Sequence, residues 1–370
     1  MRILALQLKR IGDLILTTPT LAALRAVWPE AHIALAVSEG CAALLPAIPH
    51  IDTTIVFGRG RGFAPWQQAI TGPWDLCLDF TGNDRSALAT ALSRAKQRAT
   101  FAWVRRNKVR SLAYSCFVDS PVRDRHTADH YLDLVSAFLP ASAGSVRESC
   151  ALEPSAQREP VVRKIHGLTR LPSDPALRLP PETERRASEL LHAHRVSGAF
   201  ALLHPGTARP EKYWLAERWA ELTHALLETH SLHSVITCGP DAFERAHAAE
   251  IESRIQNPVL SLPNDPKSKI LHPPDLLTLA ALSARARIVV SCDTAMVHLA
   301  AAFRTPQVAL FGPTNPFHWR PRHERAVVIS AAQSGAPLTD FRPRMKGAPM
   351  ERISTEVVIR ATETLLSTAG

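Results

Sequence analysis

The 370-residue chain has no apolar run that approaches the length of a bilayer-spanning helix, which points to a globular protein in water. Its amino-terminal stretch MRILALQLKRIGDL is broken by Lys9, Arg10 and Asp13, so the apolar core of a secretory signal is missing as well. Cysteine is sparse: Cys41, Cys77, Cys116, Cys150, Cys238 and Cys292 are dispersed, with no CxxC pair. Metal and disulfide frameworks both need clustered ligands, so these six are expected to be buried reduced thiols of a cytosolic protein. Aromatic residues make up only 6% of the chain, and no recognition-helix, zinc or RNA-stacking motif accompanies them, which argues against a nucleic-acid binder. The turn LQLKRIGD lacks the GxGxxG fingerprint, which counts against a dinucleotide oxidoreductase. No internal repeat of solenoid length is apparent, and the 29 prolines are scattered like loop punctuation.

Acidic residues are absent between Arg85 and Asp119, where Arg94, Lys96, Arg98, Arg105, Arg106, Lys108 and Arg110 crowd together. Arg59 and Arg61 sit in the glycine-flanked GRGRG, and Arg123 and Arg125 follow later. With a net charge of +9 spread this unevenly, an anionic partner is favoured: a phosphorylated glycolipid, an anionic membrane surface or nucleic acid. The bland alternative is a solvated basic face.

What is present is alternation. Residues 2–8 read as a buried strand and 12–28 as a helix; strands follow at 32–37, 53–57 and 75–80, and a helix at 84–95. The pattern blurs from about 104 to 180, with a helix at 126–140. It resumes with strands at 200–206, 234–239, 259–262, 288–293 and 307–312, helices between them, and a last helix at 354–367. Such β-α-β alternation predicts an α/β protein with parallel sheets covered on both faces, in two doubly wound halves joined near 170–198. Ligands of open α/β sheets sit beyond the carboxyl ends of the strands, which here means a cleft between the halves.

The strand ends carry the chemistry. In KRIGDL, Gly12 allows a tight turn and Asp13 opens a helix, either as a dipole partner or as a base that accepts a hydroxyl proton. HPGTARPEKYW offers Thr207 and Lys212, the latter able to neutralise a diphosphate unless it is an ordinary loop lysine. CGPDAFERA places Asp241 and Glu244 near a helix start, where either can hold ribose hydroxyls. In SCDTAMVHLAAAF the strand ends in Asp293, and Thr294, Ala295 and Met296 open a helix whose free N–H groups form an anion site. His298, one turn in, faces either that anion or solvent.

RIGDLILTTPTLAALR, GNDRSAL, HPGTARPEKYW, CGPDAFERA and SCDTAMVHLAAAF…TPQVALFGPTNP, in this order, resemble the bacterial heptosyltransferases of glycosyltransferase family 9, which build the lipopolysaccharide inner core. The resemblance spans nearly the whole chain and is loose over 104–196. It implies the two-Rossmann glycosyltransferase-B fold, with an acceptor-binding domain at 1–175 and a nucleotide-sugar domain at 176–350. The helix at 351–370 would pack back on the first domain. It also implies inverting transfer of heptose from ADP-L-glycero-β-D-manno-heptose by a cytoplasmic enzyme peripheral to the inner membrane, acting on an anionic core glycolipid. By match, Asp13 corresponds to the general base, and Thr207 and Lys212 to sugar- and diphosphate-binding residues. Glu244 matches the ribose carboxylate, Asp293 a donor-sugar contact, Thr294 and Ala295 the phosphate turn, and His298 the family histidine of that helix. Arg59, Arg61, Arg105, Arg106 and Lys108 are expected to bind the acceptor.

The chemistry needs a base, diphosphate stabilisation and positioning. No cofactor or metal is expected, since no Asp-x-Asp signature stands at the donor segments. Two departures bear on the donor: Ala295 replaces the usual glycine, and 264–274 looks expanded near the family's adenine contacts. A relative using another nucleotide sugar or acceptor, and a catalytically silent nucleotide-sugar-binding protein, are the competing readings.

Overall fold

Apolar runs without polar alternation become strands buried on both faces, as parallel sheets covered by helices require. In the computed structural model, which describes residues 1–138, 174–256, 268–333 and 335–367, the chain divides into two units, Met1–Arg178 and Leu179–Gly370. The first holds strands β1 (Arg2–Gln7), β2 (His32–Ser38), β3 (Thr53–Phe57), β4 (Leu76–Asp79), β5 (Gln97–Phe101) and β6 (Cys116–Val118), paired in parallel in the order β3-β2-β1-β4-β5-β6. Its helices are α1 (Ile11–Val27), α2 (Ala64–Thr71), α3 (Asp84–Leu92), α4 (Lys108–Ser111) and α5 (Thr127–Ser136). The strand order reverses between β1 and β4, which opens the crevice where ligands of such sheets bind.

Helix α1 is buried nearly all round and carries Pro19 in its interior. Proline has no N–H to offer the Ile15 carbonyl one turn back. The Thr18 hydroxyl donates to that carbonyl at 2.7 Å instead, so the helix runs on without an orphaned acceptor. Helix α3 starts from a capping box in which Asn83 accepts from the Ser86 N–H and Ser86 accepts from the Asn83 N–H.

The second unit holds α6 (Pro181–Ala193), β7 (Phe200–His204), α7 (Ala216–His230), β8 (His233–Thr237), α8 (Ala242–Ile255), β9 (Lys269–Leu271), α9 (Leu276–Arg285), β10 (Ile288–Cys292), α10 (Ala295–Ala302), β11 (Gln307–Phe311), β12 (Ala326–Ser330) and α11 (Thr355–Ser367). Its sheet order, β12-β11-β10-β7-β8-β9, repeats the topology of the first and reverses between β7 and β10. Both units are therefore Rossmann-like, as the alternation predicted.

The differences are local. Residues 97–118 supply two short strands near a sheet edge, the first opening on the polar Gln97 and Arg98 and the second only three residues long, so neither shows a period. The part of 264–274 that is described contains the edge strand β9. The expected strand at 259–262 and the Pro- and Arg-rich stretch after 150 lie outside the described residues. The carboxy-terminal helix, expected on the first domain, belongs to the second unit. Val357, Val358, Ala361, Leu365 and Leu366 of α11 join its core with Trp214 and Trp219. The Trp214 indole N–H donates to the Ile353 carbonyl at 2.8 Å and anchors the approach to that helix. Cys41, Cys77, Cys238 and Cys292 are free and buried, whereas Cys116 is disulfide-bonded, which corrects the expectation of six reduced thiols.

Candidate functional site

Asp13 follows β1 at the reversal of the first sheet, on the first turn of α1, and is 8% exposed. Its carboxylate caps nothing. Oδ1 instead accepts a 2.5 Å hydrogen bond from the Tyr131 hydroxyl on α5. The same hydroxyl lies 3.3 Å from the Lys9 ammonium, which also sits over the Tyr131 ring at 5.2 Å. Burial pushes the Lys9 pKa down, against the pull of Asp13 and Asp79, and pushes the Tyr131 phenol well above its ordinary range. Tyr131 is thus a fixed donor, and a hydrogen bond to one oxygen orients the carboxylate while leaving Oδ2 available. Across the crevice, the Leu8 N–H donates to Thr81 Oγ1 at 2.8 Å. Asp79, fully buried at the end of β4, accepts from the Thr81 and Gly82 N–H groups and from Tyr114. Burial raises its pKa against those hydrogen bonds. All its donors are structural, so Asp79 locks the β4 loop.

In the second unit the predicted residues gather at the ends of β7, β8 and β10. Lys212, in the 3-10 turn Pro210–Lys212 after β7, places its ammonium 2.5 Å from Asp293 Oδ2 at the end of β10. Their side chains are only 14% and 11% exposed. The pair bridges the point where the strand order reverses, and the ammonium keeps further protons for an incoming anion. Thr294 caps α10, its hydroxyl accepting from the Met296 N–H at 3.2 Å. What it offers an anion is therefore main chain: the Thr294 and Ala295 N–H groups have no acceptor among the described residues. The methyl of Ala295 does not remove that donor.

Glu244 and Asp241 separate in role. Asp241 caps α8 by accepting from the Phe243 N–H at 2.8 Å. Glu244 instead folds back to accept from the Gly239 N–H at 2.5 Å. Its carboxylate lies against two glycines: a Cβ at Gly206 or Gly239 would come within 2.4 or 2.5 Å of Oε2. Burial raises the Glu244 pKa, offset by the Gly239 N–H. Thr207 is buried beside Gly206. His298 is buried as well, edge-on to Trp319 with ring centroids 6.5 Å apart, so it does not face solvent.

The basic residues divide too. Lys96 pairs with Asp75 at 2.7 Å and Arg110 with Asp84 at 2.5 Å, while Arg98 donates to the Ala113 and Ala95 carbonyls. These three are structural. Arg59, Arg106 and Lys108 are exposed without an ion-pair partner among the described residues. Arg61 has only a loose 3.9 Å pair with Glu39, and Arg105 lies over the Phe117 ring at 4.5 Å. Sequence reasoning missed Lys9 and Tyr131. Lys9 stood beside Asp13 in KRIGD, but nothing local linked Tyr131, 118 residues on, to that carboxylate.

Among curated proteins, the chain is 24% identical over 364 residues to "Lipopolysaccharide heptosyltransferase 3" of Escherichia coli, covering 97% of this chain and 98% of that one. Among solved structures, it superposes on the E. coli ADP-heptose lps heptosyltransferase II with a TM-score of 0.73 at 19% identity, covering 100% of this chain and 99% of that one. A glycosyl transferase family 9 protein from Veillonella parvula gives a TM-score of 0.72 at 23% identity, covering 99% and 97%. These likenesses fix the architecture as the glycosyltransferase-B fold. The family model for glycosyltransferase family 9 (heptosyltransferase) matches residues 64–346, and the chain belongs to that family of glycosyltransferases.

Proposed function

We propose that this enzyme transfers heptose, with inversion, from ADP-L-glycero-β-D-manno-heptose to a hydroxyl of the lipopolysaccharide inner core. The observation that carries the donor half is the largely buried Lys212–Asp293 pair beside the open N–H groups that start α10. A diphosphate is the ligand such an ammonium and helix start favour. Lys212 and the Thr294 and Ala295 N–H groups meet its charge, Glu244 receives the ribose hydroxyls, and Asp293 and Thr207 hold the sugar. His298, the family histidine by match, lies buried in the same helix. In the first unit Asp13 takes the proton of the acceptor hydroxyl. The hydroxyl oxygen bonds to the anomeric carbon while the bond from that carbon to the diphosphate oxygen breaks, and the electron pair leaves with ADP. Attack on the face opposite the leaving group inverts the centre. No cofactor is invoked, because the charge developing on the leaving diphosphate is met by these groups.

Arg59, Arg61, Arg105, Arg106 and Lys108 bind the phosphates and carboxylates of the acceptor. No described helix is long and apolar enough to cross a membrane, and the enzyme works as a peripheral protein at the cytoplasmic face of the inner membrane. The test is turnover and thermal shift of the purified chain with ADP-heptose, other ADP-sugars, UDP-sugars and GDP-sugars, using a truncated core acceptor. Preference for ADP-heptose supports the assignment. Preference for another sugar nucleotide moves the chain to a different donor within its family, which Ala295 and the edge segment around β9 would then explain. Binding without turnover on any acceptor would leave a nucleotide-sugar-binding protein.

A further inference from the structure

Three bulky apolar side chains of the first unit stand more open to water than any other among its described residues, and each follows a run of arginine and lysine. Val109 is 79% exposed, Leu112 82% and Phe63 66%. Val109 and Leu112 stand three apart along α4 and its last turn, hence on one side of it. They follow Arg105, Arg106 and Lys108, all exposed. Phe63 follows Arg59 and Arg61 in the same manner.

The exposure is held in place. Val104, Ala113 and Tyr114 are buried with Ala87 in a small apolar cluster beneath the loop, backed by Trp103 and Phe117. The Asn107 side chain caps α4 by accepting from the Arg110 N–H at 3.0 Å. Arg110 in turn is tied to Asp84 at 2.5 Å and to the Gly82 carbonyl, both in the segment leaving the carboxyl end of β4. The turn Arg59–Arg61 leaves the carboxyl end of β3. In a parallel sheet every strand delivers its following loop to one edge. Both basic-apolar segments therefore emerge at the edge that also carries Asp13. β3 and β5 lie on opposite sides of β1 in the strand order, which at roughly 4.8 Å per strand sets them about 19 Å apart.

We propose that these two segments are a membrane-docking face: Val109, Leu112 and Phe63 enter the interface of an anionic bilayer while Arg105, Arg106, Lys108, Arg59 and Arg61 engage its headgroups. The occupant is a lipid surface rather than a protein, because each apolar tip is small, separate and preceded in the chain by cations that outnumber the neighbouring Glu39 and Asp84. A protein interface would need a contiguous, more neutral patch. Neither component suffices alone, since stable attachment combines a shallow apolar insertion with basic residues. The proposal rests on the peripheral location given above. Asp13 would then meet a lipid-anchored acceptor at the surface in which that acceptor is embedded.

The experiment is co-sedimentation of the full chain with vesicles of phosphatidylcholine alone, or mixed with phosphatidylglycerol, without any core glycolipid. Sugar transfer plays no part in that readout. Turnover on a soluble truncated acceptor is measured alongside, so that loss of the activity assignment is told apart from loss of this one. The wild-type chain should bind the anionic vesicles and not the neutral ones. Val109→Ser with Leu112→Ser should weaken partitioning about tenfold, as expected when shallow apolar insertion is removed. It should leave thermal stability and soluble turnover unchanged, since neither side chain is buried. Neutralising Arg105, Arg106 and Lys108 together should weaken binding by roughly two orders of magnitude, at about 1 kcal/mol per charge. Equal binding of both vesicle types, no binding at all, or binding that ignores the serine pair would each overturn the proposal.

Discussion

Removing Lys212 tests the donor site in a way that its partner makes quantitative. The Lys212–Asp293 pair is mostly shielded from water, with N···O 2.5 Å and side chains 14% and 11% exposed. At an effective dielectric of about 20, a phosphate charge ~4 Å from the ammonium interacts by about 4 kcal/mol before desolvation. After desolvation a charge-assisted contact retains about 1.5–3 kcal/mol, which is roughly 10- to 150-fold in Kd. Lys212→Ala removes that gain and also leaves Asp293 unscreened near the diphosphate. At ~6 Å the resulting repulsion is about 3 kcal/mol by the same arithmetic. The single variant should therefore fall at the upper end of the range. Asp293→Ala frees the ammonium and removes the repulsion, so ADP affinity should hold or rise slightly. The double variant should recover part of the loss seen in Lys212→Ala. Isothermal titration with ADP on all four proteins closes the cycle, and urea unfolding checks that the loop change leaves the fold intact. If Asp293→Ala weakens ADP as much as Lys212→Ala does and the two effects add, the pair does not share the diphosphate and the donor site has been misplaced.

Asp13→Asn should leave donor binding nearly unchanged and lower turnover by about two or more orders of magnitude, the scale of general-base catalysis; near-wild-type turnover would return Asp13 to a structural role. Tyr131→Phe removes the hydroxyl 2.5 Å from Asp13 and should lower kcat by about tenfold or more, the value of a hydrogen bond to a charged group, with donor affinity unmoved. Equal losses of kcat and ADP affinity would indicate a folding defect instead. Neutralising Arg59 and Arg61, or Arg105, Arg106 and Lys108, should raise the acceptor's KM and flatten its salt dependence, because exposed charges are screened over about 8 Å at physiological ionic strength; a donor defect alone would refute the acceptor assignment. Burial lowers the His130 pKa to about 3 and the His204 pKa to about 4, whereas an unfolded histidine titrates near ~6.5. The unfolded chain then binds protons that the folded one refuses, so stability should fall as pH drops below ~6.5, by up to about 1.4 kcal/mol per pH unit for each imidazole. Urea midpoints at pH 7 and 5 that coincide would show that these rings are not buried neutral.

Alternation of apolar runs with helical periods was enough to specify the parallel α/β class of both halves and their central strands, because a strand buried on two faces and an amphipathic helix each leave a long signature. The strand ends were legible for the same reason, and with them Asp13, Lys212, Glu244, Asp293 and Thr294. Short strands were not: β5, β6, β9 and β12 are three to five residues long, and pairing with a neighbouring strand rather than composition makes them strands. The carboxy-terminal helix was legible as a helix, but its partner was not, since the choice of core rests on Trp214, Arg218 and the Ile353 carbonyl meeting across distant sequence.

The sequence by itself determined the fold class, the family and the residue types at each strand end, all of which rest on local pattern. Only tertiary structure decided what surrounds those residues. It gave Asp13 a tyrosine from 118 positions away, joined Lys212 to Asp293 across 81, and assigned Asp241 to a helix cap while Glu244 turned onto two glycines. It also divided a basic run into cations already neutralised by Asp75 and Asp84 and cations left for a partner. A side chain's function depends on which charges and donors surround it at a few ångströms, and that distance is set by packing between segments that the linear order keeps apart.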